Sequence, residues 1–149
     1  MPVVDVGDIT LSGGVPMPGE RNPFSTPNGS RVACIQHANV ETSNVARTQE
    51  WYKRVFDAEW TEENPRFLRL GSSELHIHQE AHPNAHKTNH FAVEVLDWEG
   101  MVDHLKREKI TFEKGREPKT NPNGKSVCFV RDPDGNLIEI MHHAAWHRD

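Results

Sequence analysis

The sequence predicts an α+β fold in which two tandem βαβββ modules form a cupped mixed sheet. Two observations lead there. Short apolar strands and an amphipathic helix follow one another in the same order twice, and the residues of the two halves match in register. His37-Ala-Asn-Val40-Glu41 aligns with His90-Phe-Ala-Val93-Glu94, Asn44 with Asp97, and Lys53-Arg54 with Lys106-Arg107. A self-match that runs across a strand and into a helix marks two copies of one supersecondary unit.

Residues 1–31 carry Gly13, Gly14, Pro16, Pro18, Gly19, Pro23, Pro27 and Gly29 with little periodicity, and read as an extended arm. Residues 32–149 read as one domain, with modules at 32–80 and 88–143. In the first module, 32–40 is a strand, and Thr42, Ser43 and Asn44 supply N-cap chemistry for a helix running to Phe56. Its inward face holds Val45, Thr48, Trp51, Tyr52, Val55 and Phe56, with Trp51 as packing. Strands follow at 58–61, 66–70 and 74–79, separated by Asn64-Pro65 and Gly71-Ser72-Ser73. In the second module Phe91, Val93 and Val95 alternate as a strand, Asp97 caps a helix from Trp98 to about Glu108, and strands follow at 110–114, 126–131 and 137–141. Asn121-Pro122-Asn123-Gly124 and Asp132-Pro133-Asp134-Gly135 are turns, and no chemical role is assigned to the latter.

A chain of 149 residues is long enough to bury one core. The net charge of −5, with Lys and Arg scattered, leaves no basic footprint, so nucleic acid is not an expected partner. No apolar run approaches membrane-spanning length, and Asp5 and Asp8 stand where a secretory signal needs basic residues, so no membrane partner and a cytoplasmic address are expected. Cys34 and Cys128 sit singly in apolar surroundings and read as buried reduced thiols. His is abundant, at 10 residues, and His142, His143 and His147 read as solvated.

Strand parity selects among the other histidines, because only every second side chain can line a cavity. With Phe91, Val93 and Val95 towards the helix, His90, Ala92 and Glu94 face the cup. The same parity puts His37 on the cup side, with Ala38 and Val40 towards the helix. Leu75-His76-Ile77 and Ile138-Glu139-Ile140 are equivalent triplets, so His76 matches Glu139. A Glu between two Ile residues is costly unless it is paired, hydrogen-bonded or bound to metal. His37, His90 and Glu139 form a facial set with open positions, suited to Fe, Mn, Zn, Ni or Co with substrate bound directly to the ion. His76 is a fourth ligand, an acid/base group or a structural residue, and His78 lies at the rim.

Over residues 32–142 the chain resembles the glyoxalase, bleomycin-resistance and extradiol-dioxygenase superfamily, the vicinal oxygen chelate proteins. The resemblance lies in His37, the helix ending Trp51-Tyr52-Lys-Arg-Val-Phe56, His90 in Asn-His-Phe-Ala-Val-Glu, and the closing Phe-Val-Arg-Asp-Pro-Asp-Gly-Asn-Leu-Ile-Glu139. It implies a metal-dependent enzyme that chelates an oxygenated small molecule, with His37, His90 and Glu139 as ligands and with Glu139 and His76 as the catalytic pair. A dioxygenase-like, ring-cleaving reaction with Fe(II) is the first reading, because a three-ligand facial site beside His76 matches its needs. A glyoxalase I-like lyase or an epimerase, with His76 completing the coordination, is the second. A metal-free drug- or metabolite-binding protein is the third. Against the first, Ser126-Val-Cys-Phe129-Val lacks the Tyr that dioxygenases tend to carry in that strand. The resemblance also implies a homodimer, with modules paired within one chain or exchanged between two.

Overall fold

The computed structural model describes residues 31, 32 and 34–147, so the predicted arm lies outside the described residues except for Arg31. The elements are β1 (His37–Thr42), α1 (Val45–Phe56), β2 (Phe67–Leu70), β3 (Ser73–Gln79), β4 (His90–Glu94), α2 (Trp98–Arg107), β5 (Lys119–Thr120), β6 (Lys125–Arg131) and β7 (Leu137–His143). They build two mixed sheets, in the orders β1-β3-β2 and β4-β7-β6-β5. The repeat read from the sequence is a repeat in space. Parallel β1 and β3 pair Asn39 with His76, and parallel β4 and β7 pair the equivalent Ala92 with Glu139.

Both helices begin where capping chemistry places them. Asn44 accepts a hydrogen bond from the Arg47 amide at 3.0 Å, and Asp97 accepts one from the Gly100 amide at 3.0 Å. Each satisfies an amide that the first helical turn leaves without a partner. Thr48, Trp51, Tyr52 and Val55 of α1 are buried as expected, with Val45 and Phe56 packed at the edge. They share one core with Leu68, Leu75 and Ile77 of the first module and Leu105, Cys128, Val130, Ile138 and Ile140 of the second. The two modules therefore bury their apolar faces against a common interior.

Three sequence expectations change. The first strand begins at His37, five residues later than expected from Val32, because β3 starts at Ser73 and the parallel ladder has nothing to pair with beyond Glu74. Val32 and Ile35 are exposed in consequence, and so is Cys34; Cys128 alone is a buried thiol. The expected strands at 58–61 and 110–114 shrink to single bridges, Glu59 with Arg69 and Phe112 with Val130. In the first, the chain turns soon after the bridge, the Asn64 amide bonding back to the Thr61 carbonyl and the Phe67 amide to the Asn64 carbonyl. In the second, Glu113 is held by Nε and Nη2 along one edge of the Arg131 guanidinium, each at 2.9 Å, and the chain turns at Gly115 with φ 77°. Among the described residues no helix is long and apolar enough to cross a membrane.

The turn between β6 and β7 clasps the first module. Asp134 accepts from the Thr42 hydroxyl at 2.6 Å and the Ser43 hydroxyl at 2.8 Å, and pairs with Arg47 at 2.6 Å. Asp132 accepts from the Tyr52 hydroxyl at 3.0 Å, from the Asn136 side chain at 2.8 Å, and from the Asp134 and Asn136 amides. Asn136 in turn donates to the Glu41 carbonyl at 2.9 Å. Gly135, at φ 87°, lets the turn close. Burial, reinforced by the neighbouring Asp132, raises the Tyr52 pKa well above its ordinary value and keeps it a donor. Burial raises Asp132 as well, against the hydrogen bonds that lower it. Burial acts on Asp134 in the same direction, but the bonds from Arg47, Thr42 and Ser43 outweigh it and hold the carboxyl far below its usual range.

Because the folded Asp134 is the stronger acid, its contribution to stability is complete above the unfolded Asp value of about 3.9 and is lost as pH falls below it. Asp134→Ala should therefore cost about 3 kcal/mol in urea unfolding at neutral pH. The difference from the wild type should narrow in acid, and equal midpoints at neutral pH would refute the clasp. Burial pushes the Cys128 thiol up to about 12, so a thiol-reactive disulfide should label Cys34 in the native protein and Cys128 only after unfolding. Native labelling of both would show that the core opens.

Candidate metal centre

In the first sheet His37 and His76 share the face opposite the core, their ring centroids 6.2 Å apart. Phe67, paired with His76 across β2 and β3, stacks on its ring at 4.4 Å with planes 3° apart. The His37 tautomer is set by a relay. The Gln36 amide nitrogen donates to Glu74 at 2.6 Å, which leaves the Gln36 oxygen to accept from His37 Nδ1 at 2.7 Å. Nε2 is then the lone-pair nitrogen of His37. His78 is exposed and its Nε2 bonds Glu80 at 3.0 Å.

The second sheet repeats the arrangement with a carboxylate. His90 Nδ1 donates to the Thr88 carbonyl at 2.8 Å, and its Nε2 lies 3.1 Å from Glu139 Oε2. A ring whose Nδ1 already carries the hydrogen faces a carboxylate with a lone pair at Nε2, and that contact is favourable only with a cation between or beside the two, a proton or a metal ion. Phe129, paired with Glu139, meets the His90 ring edge-on at 5.3 Å. Arg116 lies over the Phe129 ring, its guanidinium carbon 4.6 Å from the centroid. Sequence reasoning missed Arg116, since it stands in a loop after Gly115 where strand parity says nothing of direction.

The structure thus brings together His37 with His76, and His90 with Glu139. It does not gather the four within one chain. Among the described residues, the group of three or more His, Cys, Asp or Glu side chains whose ligand atoms all lie within 4.8 Å of one another is Glu94, His142 and His147. The reason lies in the topology. His37 stands on β1 and His90 on β4, each strand is the edge of its own sheet, and the two edges are not paired with each other. Both histidine faces are open to solvent while the opposite faces share the core.

His142, His143 and His147, expected in solvent, are drawn inward instead. His143 is buried, and its amide and Nδ1 bond the Glu94 carboxylate at 2.6 and 2.9 Å. His147 Nε2 bonds the same carboxylate at 2.9 Å. Glu94 was visible in the sequence as a cup-side residue of its strand, but its partners lie beyond the strand, where periodicity carries no signal.

The family model for the glyoxalase/bleomycin resistance protein/dioxygenase superfamily matches residues 34–140. Virulence protein STM3117 of Salmonella typhimurium is 26% identical over 120 residues, covering 73% of this chain and 83% of that protein. Among solved structures, a lactoylglutathione lyase from Agrobacterium tumefaciens superposes with a TM-score of 0.61 at 18% identity, over 78% of this chain and 98% of that one. The genomically encoded fosfomycin resistance protein FosX from Listeria monocytogenes gives 0.63 at 13% identity, over 79% and 99%. At these identities the structural likeness is one of fold.

The hydrogen bond to Thr88 makes a spectroscopic prediction. In metal-free protein, nitrogen-15 NMR of the neutral His90 ring should show the hydrogen on Nδ1, and the opposite tautomer would contradict the ligand geometry.

Proposed function

The chain belongs to the glyoxalase/bleomycin resistance protein/dioxygenase superfamily, and we propose that it is a metal-dependent enzyme whose centre is completed between two copies of the chain. His37 and His76 of one copy would hold the ion together with His90 and Glu139 of the other. The observation that carries this reading is the pairing of half-sites with free edges. Each half presents two ligand-type side chains on an open sheet face, and the histidine of each stands on a strand at the edge of its sheet. Laying β4 of a second copy along β1 would join the two halves, and two-fold symmetry would make two such centres per dimer.

The donor set fits a divalent ion. His37 and His90 have their Nδ1 hydrogens engaged by oxygen acceptors, which leaves Nε2 of each free to ligate, and Glu139 supplies the carboxylate. Imidazole and carboxylate suit Fe(II), Mn, Zn, Ni or Co. When bound, such an ion supplies Lewis acidity to adjacent oxygens of a small-molecule substrate. Phe129 and Phe67 flank the ligands with apolar surface. Arg116, exposed above Phe129, is placed to pair with an anionic group of that substrate, a carboxylate, phosphate or phosphonate.

His76 decides the chemistry. It occupies the register position of Glu139, opposite the residue two beyond the first-strand histidine, which favours a four-ligand centre. That centre suits a lyase, epimerase or related isomerisation, in which a proton moves at carbon beside the chelated oxygens. The ring-cleaving alternative keeps a three-ligand Fe(II) centre and uses His76, held rigid by Phe67, as acid/base group.

Elemental analysis of anaerobically purified protein tests both readings. Metal lost on His76→Ala supports the four-ligand centre, and iron retained in that variant supports the dioxygenase-like one. Absence of metal from the wild type and from metal-supplemented protein would overturn the enzyme reading in favour of a sequestering protein. Exchange between chains has its own test. His37→Ala and Glu139→Ala should each fail to form a cup centre alone, whereas the mixed dimer of the two should regain one centre. A mixed dimer without one would place the site within a single chain.

A further inference from the structure

We propose that Glu94, His142 and His147 form a second metal site, separate from the cup centre, that takes a borderline divalent cation of the zinc class. Glu94 ends β4, His142 stands next to the end of β7, and His147 follows the 3-10 turn Ala144–Trp146, so three segments converge there. Glu94 is four residues along β4 from His90, which at the rise of an extended strand is roughly 13 Å. One ion cannot serve both sets.

Five features fit these side chains to a cation. The ligand atoms of all three lie within 4.8 Å of one another, and each residue is partly buried. The tautomer of His142 is settled, since Nδ1 donates to the Val95 carbonyl at 2.7 Å and leaves Nε2 as the lone-pair nitrogen. The His142 and His147 rings stack at 4.8 Å with planes 12° apart, so the two imidazoles stand side by side next to Glu94. His147 Nε2 and Glu94 Oε1 are already 2.9 Å apart, close to the roughly 3.3 Å edge of a tetrahedron around zinc. The other Glu94 oxygen accepts from His143 Nδ1 at 2.9 Å, which orients the carboxylate as an outer partner does in zinc sites. Three protein ligands leave one position for water, and imidazole with carboxylate matches zinc better than a hard cation.

Bound there, an ion would tie the segment after β7 to the edge strand that carries His90. This inference does not depend on the cup centre. The test uses full-length protein stripped with chelator and titrated with zinc, by elemental analysis and thermal melting, in a Glu139→Ala background that disables the cup. Glu139→Ala should bind one equivalent and melt several degrees higher with zinc. Adding His147→Ala, or separately His142→Ala, should abolish both effects, with circular dichroism confirming that each variant is folded. No zinc bound by Glu139→Ala, or equal zinc with and without His142 and His147, would overturn the proposal. Failure of the cup reading would show elsewhere, as equal zinc in the wild type and Glu139→Ala.

Discussion

Two carboxylates in one turn hold the halves of this protein together. Asp132 and Asp134 sit between β6 and β7, yet most of their side-chain partners, Tyr52, Thr42, Ser43 and Arg47, belong to the first module. A buried carboxylate is costly unless its lone pairs are filled, and here the donors come from both modules. The clasp fixes how α1 lies against the second sheet, and hence which sheet faces become core and which remain open. The cup faces inherit their exposure from that choice.

Sharing a core has a consequence for chemistry. With Ile138 and Ile140 buried against the same interior as Leu75 and Ile77, the intervening His76 and Glu139 must point away from it. The two half-sites are thus turned outward by the packing that stabilises the chain. The apolar faces are used up within the chain, and His37 and His90 are left on strands that stand at the edges of their sheets.

The C-terminal residues obey a different rule. His142, His143 and His147 surround Glu94 because the strand end leaves a carboxylate with unfilled lone pairs next to a turn that reverses the chain. Their order comes from polar satisfaction rather than apolar periodicity. The same distinction separates Arg116, placed by a loop and a π face, from His90, placed by a strand.

The sequence by itself determined the repeat, both helices with their Asn44 and Asp97 caps, the core faces, and the parity that sets His37, His76, His90 and Glu139 on cup-side positions. These are local properties, carried by periods of two and 3.6 residues and by short-range capping. Only the tertiary structure decided that the turn at Asp132 and Asp134 is a clasp, that β1 starts at His37, that Cys34 is exposed, and that the pairs His37 with His76 and His90 with Glu139 do not form one cluster within one chain. Each depends on what a distant segment supplies: a donor for a carboxylate, a partner for a strand edge, or a surface that covers an apolar side chain. No periodicity encodes these, because they join residues that the chain separates by several elements.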